Sequence, residues 1–94
     1  MHFVVHCLDR PGSQETRRAL LQAHRDYLAQ APIRTLVSGP LLADDGTTMI
    51  GSFFRLEADT QEEVLAFQRA DPLHEAGLWG EIRVHAFIKR VDNR

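Results

Sequence analysis

The residue of this chain best suited to chemistry is a histidine inside a predicted helix. On a helical wheel of 100° per residue, His24 falls about 40° from both Leu20 and Leu28, in the middle of an apolar stripe. We therefore expect its imidazole to point toward the protein interior. There it could be a core residue bonded to a backbone carbonyl. Beside a carboxylate, it would be a general acid/base that works near neutral pH.

Asp71 is the carboxylate that we expect to pair with this histidine. It precedes Pro72 at a break between two helical segments, where proline restricts the local backbone. An Asp-Pro dipeptide also forms ordinary turns and helix caps, so a purely capping role is the alternative. The other nearby candidates, Asp9, Asp44 and Asp45, lie in predicted turns and are expected to be solvated.

A short segment, Ser38-Gly39-Pro40, has residues that could contact a ligand. Ser38 offers a hydroxyl group, and Gly39 would let a ligand or another backbone segment approach closely. The alternative is that the segment is only the kinked end of a strand. Arg55 could bind an anionic group, but a lone arginine on a strand is more often a solvated edge residue.

The histidines and the single cysteine do not form a metal-binding pattern. His2 and His6 share a strand face but lie about 13 Å apart, too far to hold one ion. Asp71 and His74 have helical spacing, yet nothing completes a ligand set. Cys7 alone can form neither an intramolecular disulfide nor a multi-cysteine zinc site, and we expect it to be a buried packing thiol. No phosphate loop or dinucleotide motif is present, so neither a metal nor a cofactor is expected.

Four strands are predicted to carry or face these residues. Apolar and β-branched runs predict strands at residues 2–8, 33–42, 47–57 and 81–89. Asp44-Asp45-Gly46 is typical of the turn of a hairpin between the second and third strands. Because Pro40 cannot donate a hydrogen bond to a neighbouring strand, the second strand is expected at a sheet edge or broken near residues 38–39.

Two helices complete the predicted arrangement. The first follows an N-cap at Ser13 and runs through residues 16–30; the second follows Asp59-Thr60 and is interrupted at Asp71-Pro72. The order β-α-β-β-α-β predicts an α+β, ferredoxin-like fold, with a four-stranded antiparallel sheet and two main helices on one face. The other face would expose apolar side chains. We therefore expect a homodimer packed through this open sheet face.

Length and composition limit the function classes. The chain has 94 residues, enough for a single domain over residues 1–94, and a net charge of −2 with a pI near 6.2. Its Lys and Arg residues are dispersed, which argues against a nucleic-acid partner. No apolar run approaches the roughly 20 residues of a membrane span. The N-terminal residues lack a basic region followed by an apolar run, so we expect a cytoplasmic protein.

The chain resembles the YciI-like proteins of the dimeric α/β-barrel superfamily from Phe3 to about Lys89. The residues that carry the resemblance are His24 to Leu28, Ser38 to Leu42, Asp44-Asp45-Gly46, Gly51-Ser52 and Asp71 to Leu78. The resemblance implies a catalytic pair, His24 and Asp71, in a pocket between sheet and helices that Ser38, Gly39 and Pro40 line.

Three functions are compatible with these residues and this resemblance. The first is a small cofactor-independent lyase or isomerase, in which a His-Asp dyad moves a proton on a small cyclic or aromatic-derived metabolite. The second is a non-catalytic dimeric module that binds a small molecule or a partner protein. The third is a cofactor-free monooxygenase of the same superfamily.

Overall fold

The computed structural model describes all 94 residues, in the predicted order of elements, with a short helix after the predicted break at Asp71-Pro72. The strands are β1 (His2–Asp9), β2 (Arg34–Leu42), β3 (Met49–Glu57) and β4 (Trp79–Phe87). The helices are α1 (Gln14–Gln30), α2 (Gln61–Arg69) and the short α3 (Pro72–Glu75). The α+β, ferredoxin-like fold predicted from the sequence is thus confirmed.

The strands form one antiparallel sheet in the order β2-β3-β1-β4. β2 lies at an edge and continues through Pro40 without a break, so the first of the two expectations for this strand is confirmed. The limits predicted for β4 were two residues too late. β4 pairs with β1 from Trp79, opposite Asp9, to Phe87, opposite His2, and β1 offers no partner beyond that point.

The two faces of the sheet have different environments. On β1, Phe3, Val5 and Cys7 are buried beneath the helices, together with Phe54 and Leu56 of β3. The alternate residues point the other way, because side chains of a strand alternate between faces. We call this second surface the open face; it carries the following side chains of β1, β3 and β4: His2, Val4, His6, Leu8, Phe53, Arg55, Glu57, Arg83, His85 and Phe87.

Local sequence signals account for the ends of the helices. Thr60 caps α2, its side chain accepting a hydrogen bond from the backbone N–H of Glu63. Ser13 occupies the N-cap position of α1, but its side chain makes no capping hydrogen bond.

Tyr27 joins α1 to α2, donating a hydrogen bond to the Phe67 carbonyl at 2.7 Å while its ring stacks on that of Phe67. None of the helices combines the length and the apolar character of a membrane-crossing segment.

Candidate active site

His24 and Asp71, which lie 47 residues apart in the chain, meet in the protein interior. The His24 Nδ1 atom lies 2.8 Å and 3.0 Å from the two carboxylate oxygens of Asp71. The histidine is 7 % exposed and the aspartate is fully buried. The imidazole also packs edge-on against the ring of Phe54. The inward orientation expected from the helical wheel is therefore present, and the histidine has a carboxylate partner rather than a backbone carbonyl.

The local sequence around Asp71 fixes the direction of its carboxylate. Asp71 is the N-cap of α3 and has the extended backbone that a following proline favours. Its Oδ1 atom accepts a hydrogen bond from the backbone N–H of Leu73 at 2.9 Å. The capping role and the contact with His24 therefore coexist, since one carboxylate has enough lone pairs for both.

This geometry determines which nitrogen of His24 is free. An ionised carboxylate can only accept hydrogen bonds, so Nδ1 is the atom that carries the proton in a neutral imidazole. Nε2 then has an unshared electron pair and makes no hydrogen bond within the protein. An imidazole held in this way can take up a proton at Nε2 and return it, with the carboxylate stabilising the cation between the two steps.

A cavity of about 240 Å³ lies beside this pair, between α1 and the β2–β3 hairpin. Its walls include His24 and all three residues predicted to bind substrate, Ser38, Gly39 and Pro40. Asp71 does not line the cavity and reaches it only through the imidazole. No backbone or side-chain atom lies within 4 Å of the position of a Cβ on Gly39. No other backbone segment therefore approaches Gly39 closely, although such an approach was one of the two expected reasons for a glycine at this position.

Two further residues of the cavity were not singled out in the sequence. Arg17 and Ser52 are 3 % and 2 % exposed, and both line the cavity. Arg17 forms a two-point ion pair with Asp9, with its Nε 2.6 Å from Oδ2 and its Nη2 2.8 Å from Oδ1. The expectation that Asp9 is solvated was wrong, because its carboxylate turns inward to meet this guanidinium. Helical spacing could have identified Arg17 as a residue of this site, because a separation of seven residues places it about 20° from His24 on the wheel.

Arg55 lies in a different environment from the one expected, whereas Cys7 is buried as expected. Arg55 is not an edge residue; it lies on the inner strand β3 and on the open face, where its guanidinium sits over the Phe87 ring. Cys7 is a buried packing thiol, as expected. Burial raises the pKa of the Cys7 thiol to about 12, and the negative charge of Asp71 adds to the increase.

Comparison with known proteins gives one family match and several similar folds. The family described as YCII-related domain matches residues 1–88. The 5-chloro-2-hydroxyhydroquinone dehydrochlorinase TftG from Burkholderia phenoliruptrix AC1100, solved in complex with 2,5-dihydroxybenzoquinone, is 34% identical. The match covers 94% of each chain, with a TM-score of 0.84.

More distant solved structures share the fold alone. A NIPSNAP domain protein from Burkholderia xenovorans is 13% identical over 96% of this chain and 95% of its own, with a TM-score of 0.54. An antibiotic biosynthesis monooxygenase is 9% identical over 96% of this chain and 98% of its own, with a TM-score of 0.57. Among curated proteins, none matches the chain.

Proposed function

The chain belongs to the YCII-related family, and from that premise we propose that it is a small-molecule lyase in which His24 and Asp71 act as a general acid/base dyad. The observation that carries the proposal is the contact of 2.8 Å between His24 Nδ1 and the buried Asp71 carboxylate, beside a cavity that the imidazole lines. A dyad of this kind can accelerate a proton transfer by about 10²–10⁴-fold.

The substrate class that fits best is a single ring bearing several hydroxyl groups and a leaving group. A cavity of about 240 Å³ is below the roughly 300–1,000 Å³ of drug-sized pockets and accommodates one ring. The 34% identical dehydrochlorinase acts on such a compound, 5-chloro-2-hydroxyhydroquinone. We take this compound as the first substrate to test.

The elimination balances through proton transfers alone. Nε2 of His24 takes a proton from a ring hydroxyl and returns it to the carbon that bears the leaving group. It then takes a second hydroxyl proton as that group departs with its bonding electron pair. The net change is the loss of one acid molecule HX and formation of a hydroxyquinone. Asp71 orients the imidazole and stabilises its cationic form in each cycle.

Replacing His24 by asparagine tests the proposal. The asparagine amide can still donate to Asp71, so the buried carboxylate keeps a partner, but no group remains to carry the transferred proton. We expect chloride release from 5-chloro-2-hydroxyhydroquinone by the wild type and a loss of about 10²-fold or more in the variant. The control is His74→Asn, because His74 lies outside the cavity. Equal rates for His24→Asn and the wild type would show that His24 does not carry the proton. Chloride release by the wild type no faster than without protein would leave only a binding module.

We also propose that the open face is covered by a second copy of the chain. Two features support this. Four strands about 4.8 Å apart and about 30 Å long present roughly 600 Å², close to the ~800 Å² that each partner contributes to a standard interface. On this face Phe87 is 39 % exposed, and Val37 of β2, which pairs with Arg55, is 43 % exposed. Burying such apolar side chains against a second chain is favourable.

Sedimentation measures this association directly. Val4→Asp places a charge at the centre of the open face and should give a monomer, whereas Ala23→Glu, on the exposed side of α1, should leave the assembly unchanged. A wild-type protein that sediments as a monomer at micromolar concentration would contradict the proposed dimer.

A further inference from the structure

We infer that His6 and His85 make the association of two copies sensitive to acid. The copies stay joined through the open face at neutral pH and separate when these two imidazoles take up protons. The inference rests on the proposed covering of the open face by a second copy, and it does not depend on the lyase activity. Both histidines lie on the open face, and neither lines the cavity beside His24.

The two histidines are neighbours on adjacent strands. His6 of β1 lies opposite Arg83 of β4, and His85, two residues after Arg83, lies opposite Val4 of β1. Residues placed diagonally in this way are separated by about 7–8 Å and point to the same face of the sheet. Two imidazoles and one guanidinium therefore share a single patch of the open face.

The carboxylates near this patch already have partners. Glu81 precedes Arg83 by two residues on β4 and forms an ion pair with it, with an N–O distance of 2.6 Å. Glu57, at the end of β3, lies opposite both Arg34 of β2 and His2 of β1, and it is 4.0 Å from the Arg34 guanidinium. A proton on His2 would be stabilised by this carboxylate, so His2 is not part of the inference.

The open face therefore gains uncompensated positive charge when the pH falls. Its permanently charged groups are Arg34, Arg55, Arg83, Glu57 and Glu81. Their net charge is +1, and protons on His6 and His85 raise it to +3. A second copy presents the same groups, so contact between the two faces brings like charges together whatever the relative orientation of the copies. The charged imidazoles also lose hydration when they are covered.

The coupling between protonation and association sets the direction and the size of the effect. An imidazole in water has a pKa near 6.5, so it is mostly neutral at pH 7.5 and mostly protonated at pH 5.5. Each histidine that must be neutral in the dimer weakens the association by about 10-fold over this interval, because only the separated copies bind the proton freely. One such histidine in each copy gives about 100-fold. Acid therefore favours the monomer, and neutral pH favours the dimer.

Sedimentation at two pH values tests the inference. At constant ionic strength we expect a wild-type dimer at pH 7.5 and a dissociation constant at least about 100-fold larger at pH 5.5. The double variant His6→Gln/His85→Gln cannot gain charge at these positions and should remain dimeric at pH 5.5. The control His74→Gln changes a histidine of α3, outside the open face, and should separate in acid as the wild type does.

Two further measurements distinguish an effect on the interface from an effect on the fold. His85→Lys supplies the positive charge at all of these pH values, so it should weaken the association already at pH 7.5. Far-UV circular dichroism of the wild type should be the same at pH 7.5 and pH 5.5. A loss of helical signal at pH 5.5 would show that acid unfolds the chain, and the inference would then be wrong.

The outcomes separate this inference from the proposals on which it builds. If the wild-type dissociation constant is the same at both pH values, or if His6→Gln/His85→Gln separates in acid as the wild type does, the inference is wrong and the proposed dimer stands. A wild-type monomer at both pH values contradicts the dimer and the inference together. A dimer that separates in acid only when these histidines are present supports the inference even if the chain releases no chloride.

Discussion

The replacement of Asp71 by asparagine gives the sharpest test of how the candidate site works. Asparagine has the same shape as aspartate, so its side-chain oxygen can still accept the hydrogen bond from the Leu73 N–H that caps α3. Its amide NH₂ group then faces His24 Nδ1 and can only donate. Because this amide takes the nearer position, 2.8 Å from Nδ1, we expect the imidazole to leave Nδ1 unprotonated and to carry its proton on Nε2. The nitrogen that should accept a proton from the substrate is no longer free.

The structure also sets the size of the expected effects. The variant loses one charge-assisted hydrogen bond, worth about 1.5–3 kcal/mol, but it also removes the hydration cost of a fully buried carboxylate. We expect the free energy of unfolding to fall by no more than about 3 kcal/mol. The loss of activity should be far larger: in a serine protease triad the equivalent change, which also gives the wrong tautomer, lowers kcat by about 10⁴-fold.

Nitrogen-resolved NMR of the histidine side chains measures the tautomer without any substrate. At a pH where the imidazoles are neutral, wild-type His24 should show a protonated Nδ1 and an unprotonated Nε2, and Asp71→Asn should reverse them. The signals of His85, which is exposed on the far side of the sheet, serve as the internal control. Urea unfolding of the same samples gives the change in stability. An unchanged tautomer in the variant, or a wild-type protein that already carries its proton on Nε2, would refute the reasoning.

Three further predictions follow from buried or hydrogen-bonded groups. Because the pKa of Cys7 is raised to about 12, iodoacetamide should label it in urea only as the protein unfolds; fast labelling of the native protein at pH 8 would contradict this. Arg17→Met should lower the free energy of unfolding by about 3–5 kcal/mol, because it leaves the buried Asp9 carboxylate unpaired. Adding Asp9→Asn should restore most of the lost stability. If it restores none, the unpaired carboxylate is not the cause of the loss. Hydrogen bonds from the following threonines lower the pKa of Asp45 from 3.8 to about 2, so its stabilisation of the hairpin turn is present above pH 4 and lost as the pH falls through 2. Carboxyl NMR should show Asp45 titrating well below 3.8, and a midpoint at 3.8 would contradict this.

Much of the fold could be predicted from the sequence because its signals are local. The apolar, β-branched run of β1, the helical stripe of α1 and the turn at Asp44-Asp45-Gly46 each depend on a few neighbouring residues. The end of β4 could not be read in the same way. Its apolar alternation continues past Phe87, but pairing stops where β1 has no further residue to offer.

The charged residues of the site show where local reasoning fails. Asp9 has the sequence context of a solvated turn residue, and Arg17 is a charged residue that falls on the inward face of the α1 wheel without a visible partner. Both are buried because each supplies the partner that the other needs, and no spacing rule links the end of β1 to the first turns of α1. For Arg55, a strand arginine of the same kind, the position of β3 inside the sheet decided its environment.

The sequence by itself determined that His24 points inward and that Asp71 lies at a break between two helical segments, where Pro72 restricts its backbone. Both features could be predicted because helical periodicity and capping act within a few residues. Only the tertiary structure decided that the imidazole and the carboxylate meet across 47 residues and that Arg17 meets Asp9 and Ser52 beside the cavity. The physical reason is that hydrogen bonds between distant segments depend on which faces pack together. That packing depends on the burial of one face of the sheet beneath its helices.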